Sequence, residues 1–79
     1  MWFVYIIECG NGHYYTGSTN DLARRMKAHS QGRASKFTAG FGFKKLIYSE
    51  VLPGRSEALK REAQIKNLTR PEKTALIKS

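Results

Sequence analysis

The apolar positions of this chain change period from one segment to the next, and the changes mark its elements. Trp2 to Cys9 is an almost unbroken run of aromatic and β-branched residues, which predicts a strand. Gly10-Asn11-Gly12 follows, and an Asn-Gly pair is the strongest short hairpin signal. His13 to Gly17 is then the returning strand of an antiparallel pair. Ser18-Thr19-Asn20-Asp21 gathers residues that cap helix N-termini, predicting a helix from Asn20 to Ser30 that Gly32 ends. Gly32 to Phe43, with its glycines and the basic Arg33 and Lys36, predicts a loop with room for a short helical turn. Lys45 to Val51 predicts a third strand, and Pro53-Gly54 a turn. Ser56 can cap a second long helix that runs to Leu68. Thr69 and Glu72 have capping-box spacing with Pro71 in the first turn, so a last helix covers Arg70 to Ile77. The order β-β-α-β-α-α implies an α+β fold, a small three-stranded antiparallel sheet flanked by helices.

The chain has 79 residues, room for a single domain over 1–79 with a thin core. No segment approaches the length of a membrane span, and the apolar start lacks the basic region and cleavage site of a signal peptide. The single cysteine, Cys9, excludes an intrachain disulfide and fits a reducing, cytoplasmic setting. Charge changes the picture more. Fourteen Lys and Arg against six Asp and Glu give a net +8, which points to a polyanionic partner, nucleic acid first and a membrane surface second.

Two helices break their own polarity pattern. In the first, a helical wheel turns Arg24 and Lys27 to solvent, whereas Arg25 borders the apolar stripe of Leu22, Met26 and His29. Arg25 and His29 stand one turn apart. A snorkelling arginine beside a satisfied histidine explains this as well as a functional pair does. In the helix beginning near Glu57, a wheel with Leu59 at zero places Glu62 inside the apolar arc of Ile65, Ala58, Leu59 and Ala63, and Glu57 and Arg61 outside it. An inward carboxylate is costly unless it is paired or binds metal. A buried ion pair with Arg25 is one solution and a metal-binding or catalytic carboxylate another. Tyr5 and Tyr15 lie mid-strand, where phenols either complete a core or share a face with those polar groups.

These residues resemble a known family. Phe3-Val4-Tyr5 and Tyr15-Thr16-Gly17 are similar to the paired tripeptides of the GIY-YIG nucleases, in a form that lacks the first glycine. Arg25 matches the family's catalytic arginine on the first helix, and His29 fills the place four residues on. Glu62-Ala63-Gln64-Ile65-Lys66 matches the context of the family's metal-ligand glutamate. The match reaches Leu68 and is similar to the small stand-alone bacterial members grouped as UPF0213. Thr74 stands near where some nucleases of the superfamily carry an asparagine, and Ser18 stands where repair-type members have a lysine.

The resemblance implies a metal-dependent endonuclease that hydrolyses phosphodiester bonds in DNA. Glu62 would hold Mg2+ or Mn2+, and Arg25 would grip the scissile phosphate through its planar fork. Tyr5 would act as general base, which requires Arg25 and the metal to lower a phenol whose ordinary pKa is ~10. Tyr15 and His29 would orient water or phosphate, and Gly17 would let the backbone turn tightly at the nucleic-acid site. Two histidines and one cysteine cannot build a usual zinc site. Arg33, Lys36, Lys44 and Lys45 would neutralise phosphates. Phe37, Phe41 and Phe43 would either stack on unpaired bases or complete the core. The alternative is a nucleic-acid-binding module of the same fold without turnover. A third reading is a basic adaptor for a protein, and a protein partner could equally supply the specificity a small nuclease lacks.

Overall fold

A computed structural model describes residues 1–79. Its elements are β1 (Trp2–Cys9), β2 (Tyr14–Thr19), α1 (Leu22–Ser30), α2 (Lys36–Phe41), β3 (Phe43–Leu52), α3 (Arg55–Lys66) and α4 (Arg70–Lys78). The sheet is antiparallel with order β2-β1-β3. The expected α+β architecture is present, with one helix more than expected between α1 and β3.

The central strand explains the unbroken apolar run at the start of the chain. Val4, Tyr5, Ile6 and Ile7 are all buried, so β1 is covered on both faces and has no polar side to show. On one face Val4 and Ile6 pack with Ala58 and Ile65 of α3, and Leu76 and Ile77 of α4 close over this cluster. On the other face Tyr5 meets α1 and α2 through His29 and Thr38. The β1–β2 connection spans Gly10 to His13 and uses the positive φ of Gly12, 86°. No helix is long and apolar enough to cross a membrane.

Local chemistry sets several boundaries differently from the sequence expectation. α1 begins at Leu22 because Asp21, and not Asn20, supplies the cap: its Oδ1 accepts from the Arg24 N–H at 3.1 Å. The basic segment forms a helix of its own, since Ser35 Oγ accepts from the Phe37 N–H and caps α2. β3 is longer than Lys45–Val51 because β1 pairs with it as far as Phe43 and Leu52. α3 starts at Arg55 without a side-chain cap and ends at Lys66. α4 carries the expected capping box, with Thr69 and Glu72 satisfying each other's backbone N–H groups.

The buried face of α3 is narrower than the apolar arc expected. Ala58 and Ile65 are buried, while Leu59 is 48% exposed and Ala63 is exposed. Arg61, expected outside the apolar arc, is half-buried and pairs through Nε with Glu50 Oε1 of β3 at 2.6 Å. Glu62 lies on the other flank of that face. Ile65 has no exposed surface at all. Ile65→Ala is therefore expected to cost about 2–5 kcal/mol, a large part of the stability of a small domain. A urea titration of the variant beside wild type measures it, and a change under ~1 kcal/mol would contradict this packing.

Candidate active site

Tyr5, His29 and Thr38 form a chain of buried polar groups, each 1% exposed. Tyr5 Oη lies 2.8 Å from His29 Nε2, and His29 Nδ1 lies 2.8 Å from Thr38 Oγ1. The tautomer follows from the last group in the row. If Thr38 Oγ1 gives its hydrogen to the Ser35 carbonyl, 3.3 Å away, only lone pairs face His29. Nδ1 then carries the imidazole hydrogen and Nε2 is bare. The Tyr5 hydroxyl accordingly donates to Nε2.

Burial pushes the Tyr5 phenol well above its ordinary value, and Tyr15 and Glu62 add to the rise. The Arg25 guanidinium pulls the other way but does not prevail. The lowered phenol that the resemblance required is thus not the resting state: burial outweighs the arginine. Burial, with a smaller push from Arg25, also lowers His29 below 6.5. A neutral phenol faces a neutral imidazole.

A stability consequence has a definite sign. An unfolded chain binds a proton on this histidine before the folded one does, so lowering the pH favours unfolding. The contribution is complete above about pH 6.5 and is lost as pH falls through the window beneath it. Thr38→Val removes the hydroxyl that fixes the tautomer, while Thr38→Ser keeps it. Nitrogen-15 spectra of the imidazole are expected to show hydrogen on Nδ1 in wild type and Thr38→Ser, and a mixed or reversed tautomer in Thr38→Val. Unchanged spectra in Thr38→Val would contradict the assignment.

Gly17 is the register partner of Tyr5 on β2. A Cβ there would stand 2.5 Å from Tyr5 Oη, 2.7 Å from Cζ and 3.2 Å from Tyr15 Cε2. The expected tight turn is absent: Gly17 lies mid-strand, buried, and its φ is not positive. The glycine is there because the phenol lies directly on the backbone. The Tyr15 ring meets His29 edge-on at 5.4 Å, so both tyrosines flank the histidine.

Glu62 reaches this centre from the other side of the edge strand β2. Its Oε1 accepts from Ser18 Oγ at 2.6 Å, next to Gly17 in the chain. Its Oε2 pairs with Lys66 Nζ at 2.8 Å. The ion pair with Arg25 is therefore not formed, and Arg25 has no carboxylate partner. Arg25 is half-buried beside a cleft of about 270 Å³ lined by Thr19, Asn20, Asp21 and Arg24. That cleft shares Arg24 and Ala28 with an open groove of about 470 Å³ to which Lys27, Gln31 and Arg33 contribute. Arg24, Arg25, Lys27 and Arg33 thus line one track along α1. The only carboxylate on it, Asp21, is occupied in capping the helix.

The sequence-predicted residues separate into two groups. Tyr5, Tyr15, Gly17, Arg25, His29 and Glu62 converge, and Arg33 lies on the adjoining track. Lys36 stands apart on α2, and Lys44 on β3 is 59% exposed and pairs with Glu8 at 3.6 Å. Ser18, Lys27, Thr38 and Lys66 were not anticipated at the site. Lys66 was readable as the i+4 neighbour of Glu62, and Lys27 as the outward partner of Arg24. Thr38 carried no local signal. No group of three or more His, Cys, Asp or Glu side chains forms a ready metal cage.

A family model described as the GIY-YIG catalytic domain matches residues 1–75, and the chain belongs to that family of nucleases, whose substrate is nucleic acid. Along its whole length the chain is similar to UPF0213 proteins. It is 47% identical over 79 residues to one from Clostridium perfringens, which covers 100% of this chain and 85% of the relative. It is 45% identical over 76 residues to one from Halobacterium salinarum, covering 96% and 99%. The solution NMR structure of the UPF0213 protein from Bacillus halodurans is similar with a TM-score of 0.62 at 40% identity, covering 99% of this chain and 84% of that one.

Proposed function

We propose that this chain is a divalent-metal-dependent endonuclease that hydrolyses phosphodiester bonds in DNA. The observation that carries the reading is the buried Tyr5–His29–Thr38 row standing beside an arginine with no carboxylate partner. Arg25 is free to grip the scissile phosphate with two parallel N–H donors. Tyr5 takes a proton from the attacking water while passing its own to His29 Nε2, which the tautomer leaves bare. Nδ1–H stays on Thr38, so the imidazolium that forms remains held. Tyr15 orients the ring.

Glu62 is the residue that would hold Mg2+ or Mn2+. The donor chemistry fits such an ion: a single carboxylate already carries a cation, the Lys66 ammonium, and that lysine is 51% exposed and free to swing away. A hydrated Mg2+ commonly uses only one or two carboxylates. When bound, the ion supplies charge stabilisation at the phosphate and the leaving oxygen. A domain of 79 residues has little surface for reading base sequence, so specificity comes from nucleic-acid structure or from a protein partner.

A second reading, a nucleic-acid-binding module without turnover, is favoured by one observation. Both Glu62 oxygens are already engaged, by Ser18 and Lys66. A cleavage assay on labelled duplex, single-stranded and branched DNA in Mg2+ and Mn2+ separates the two. Metal-dependent nicking by wild type alone, with Glu62→Ala inert, supports the enzyme. Salt-sensitive binding without nicking under either ion supports the module.

A further inference from the structure

Six aromatic rings form a continuous row that starts in the buried centre and ends in solvent. His29 meets Tyr5 edge-on at 5.6 Å and Tyr15 at 5.4 Å. Tyr15 stacks on Phe37 at 5.8 Å, and Phe37 meets Phe41 at 4.9 Å. Phe41 then lies parallel to His13 at 6.0 Å with an interplanar angle of 16°. The phenylalanines divide accordingly. Phe37 and Phe43 are half-buried, and Phe43 stacks on His29. Phe41 is 49% exposed and His13 is exposed, so the row ends as an open two-ring platform.

The fold holds this platform in place without covering it. The Gly10 N–H donates to the Gly42 carbonyl at 3.2 Å, tying the β1–β2 connection to the end of α2. Gly40 is an independent sign. It sits inside α2, its φ is not positive, and a Cβ there would meet nothing within 4 Å. Gly40 is the penultimate residue of α2, and no packing contact requires a glycine there. Open backbone beside an exposed ring is what a closely approaching ligand needs. The charge of the segment that carries Phe41 indicates which ligand, the nearby Glu8 being paired with Lys44. Between Asp21 and Glu50 the chain has no acidic residue, yet it carries Arg24, Arg25, Lys27, Arg33, Lys36, Lys44 and Lys45.

We infer that Phe41 and His13 form a stacking site for an unpaired nucleobase of a single-stranded nucleic-acid segment, which leads from the cationic surface toward Tyr15 and Arg25. The inference rests on the nucleic-acid reading above and narrows the substrate to strands with unpaired bases. Every base has a π-face, so the site is tolerant of sequence, while bases paired inside a duplex cannot reach it.

Binding is tested in EDTA, without turnover, with an oligonucleotide containing 2-aminopurine, whose fluorescence is quenched on stacking. Wild type is expected to quench the probe in a single strand and to leave it unchanged at the centre of a duplex. Phe41→Ala is expected to abolish the quenching and weaken single-strand affinity roughly five- to a hundredfold. Duplex affinity should stay within about twofold, and Phe41→Trp should restore the quenching. Equal losses on single strand and duplex, or none on either, overturn the site while leaving nucleic-acid binding intact. A dimer that Phe41→Ala converts to monomer with quenching preserved would show that a second copy covers the platform. No binding of any oligonucleotide at low salt overturns both the site and the reading beneath it.

Discussion

Glu62→Gln protein is expected to fold like wild type and to lose metal-dependent cleavage by roughly a thousandfold or more. The size follows from the several kcal/mol of charge stabilisation that a catalytic ion supplies, at about 1.4 kcal/mol per tenfold. The fold should tolerate the change for two reasons. Glutamine presents the same Oε1 to the Ser18 hydroxyl. The ion pair it breaks has a lysine that is 51% exposed, and such pairs are worth about 0–1 kcal/mol. Titration with Mn2+ followed by paramagnetic resonance tests the same residue without turnover. Glu62→Gln should bind the ion more weakly and Lys66→Ala more tightly, because the lysine competes for Oε2. Equal Mn2+ affinity in all three proteins would remove Glu62 from the metal site.

Gly17→Ala should lose both stability and activity, for one reason. The added carbon would stand 2.5 Å from the Tyr5 hydroxyl oxygen, closer than any real contact allows. The ring cannot swing aside, because it is 1% exposed and bonded to His29. Overpacking of this kind costs about 1–3 kcal/mol, and each 1 kcal/mol lowers the melting temperature of a domain this size by about 4–8 °C. The forced shift also separates Tyr5 from His29, so a further loss of about 10²–10⁴ in cleavage rate is expected. A melting curve and a cleavage assay at a temperature where the variant is still folded resolve the two effects. A variant with wild-type melting and wild-type rate would mean the phenol does not rest on this backbone.

Much of this was legible in the sequence, and the misses share a cause. The β1–β2 hairpin, the α4 capping box and the outward turn of Arg24 depend on neighbours a few residues away, and all three are present. The apolar arc expected on α3 ran from Ile65 and Ala58 to Leu59 and Ala63, and the sheet covers only its Ala58 and Ile65 end, because burial depends on what packs opposite. Glu62 flanks the core because it stands beside the buried end of that arc. α2 was read only as room for a short helical turn in a glycine-rich loop, although Ser35 and the Phe37 N–H form an ordinary cap. The Gly17 floor and the Thr38 hydroxyl belong to contacts between distant segments, and no local pattern announces those.

The hydroxyl that fixes His29 sits on a helix of six residues. A helix so short has little cohesion of its own, and segments of this kind open locally well before a domain melts. On warming, the histidine should therefore lose its tautomer while the sheet is still intact. Chemistry that depends on that tautomer would have a thermal ceiling of its own, lower than the melting temperature, and set by the fraying of Lys36–Phe41.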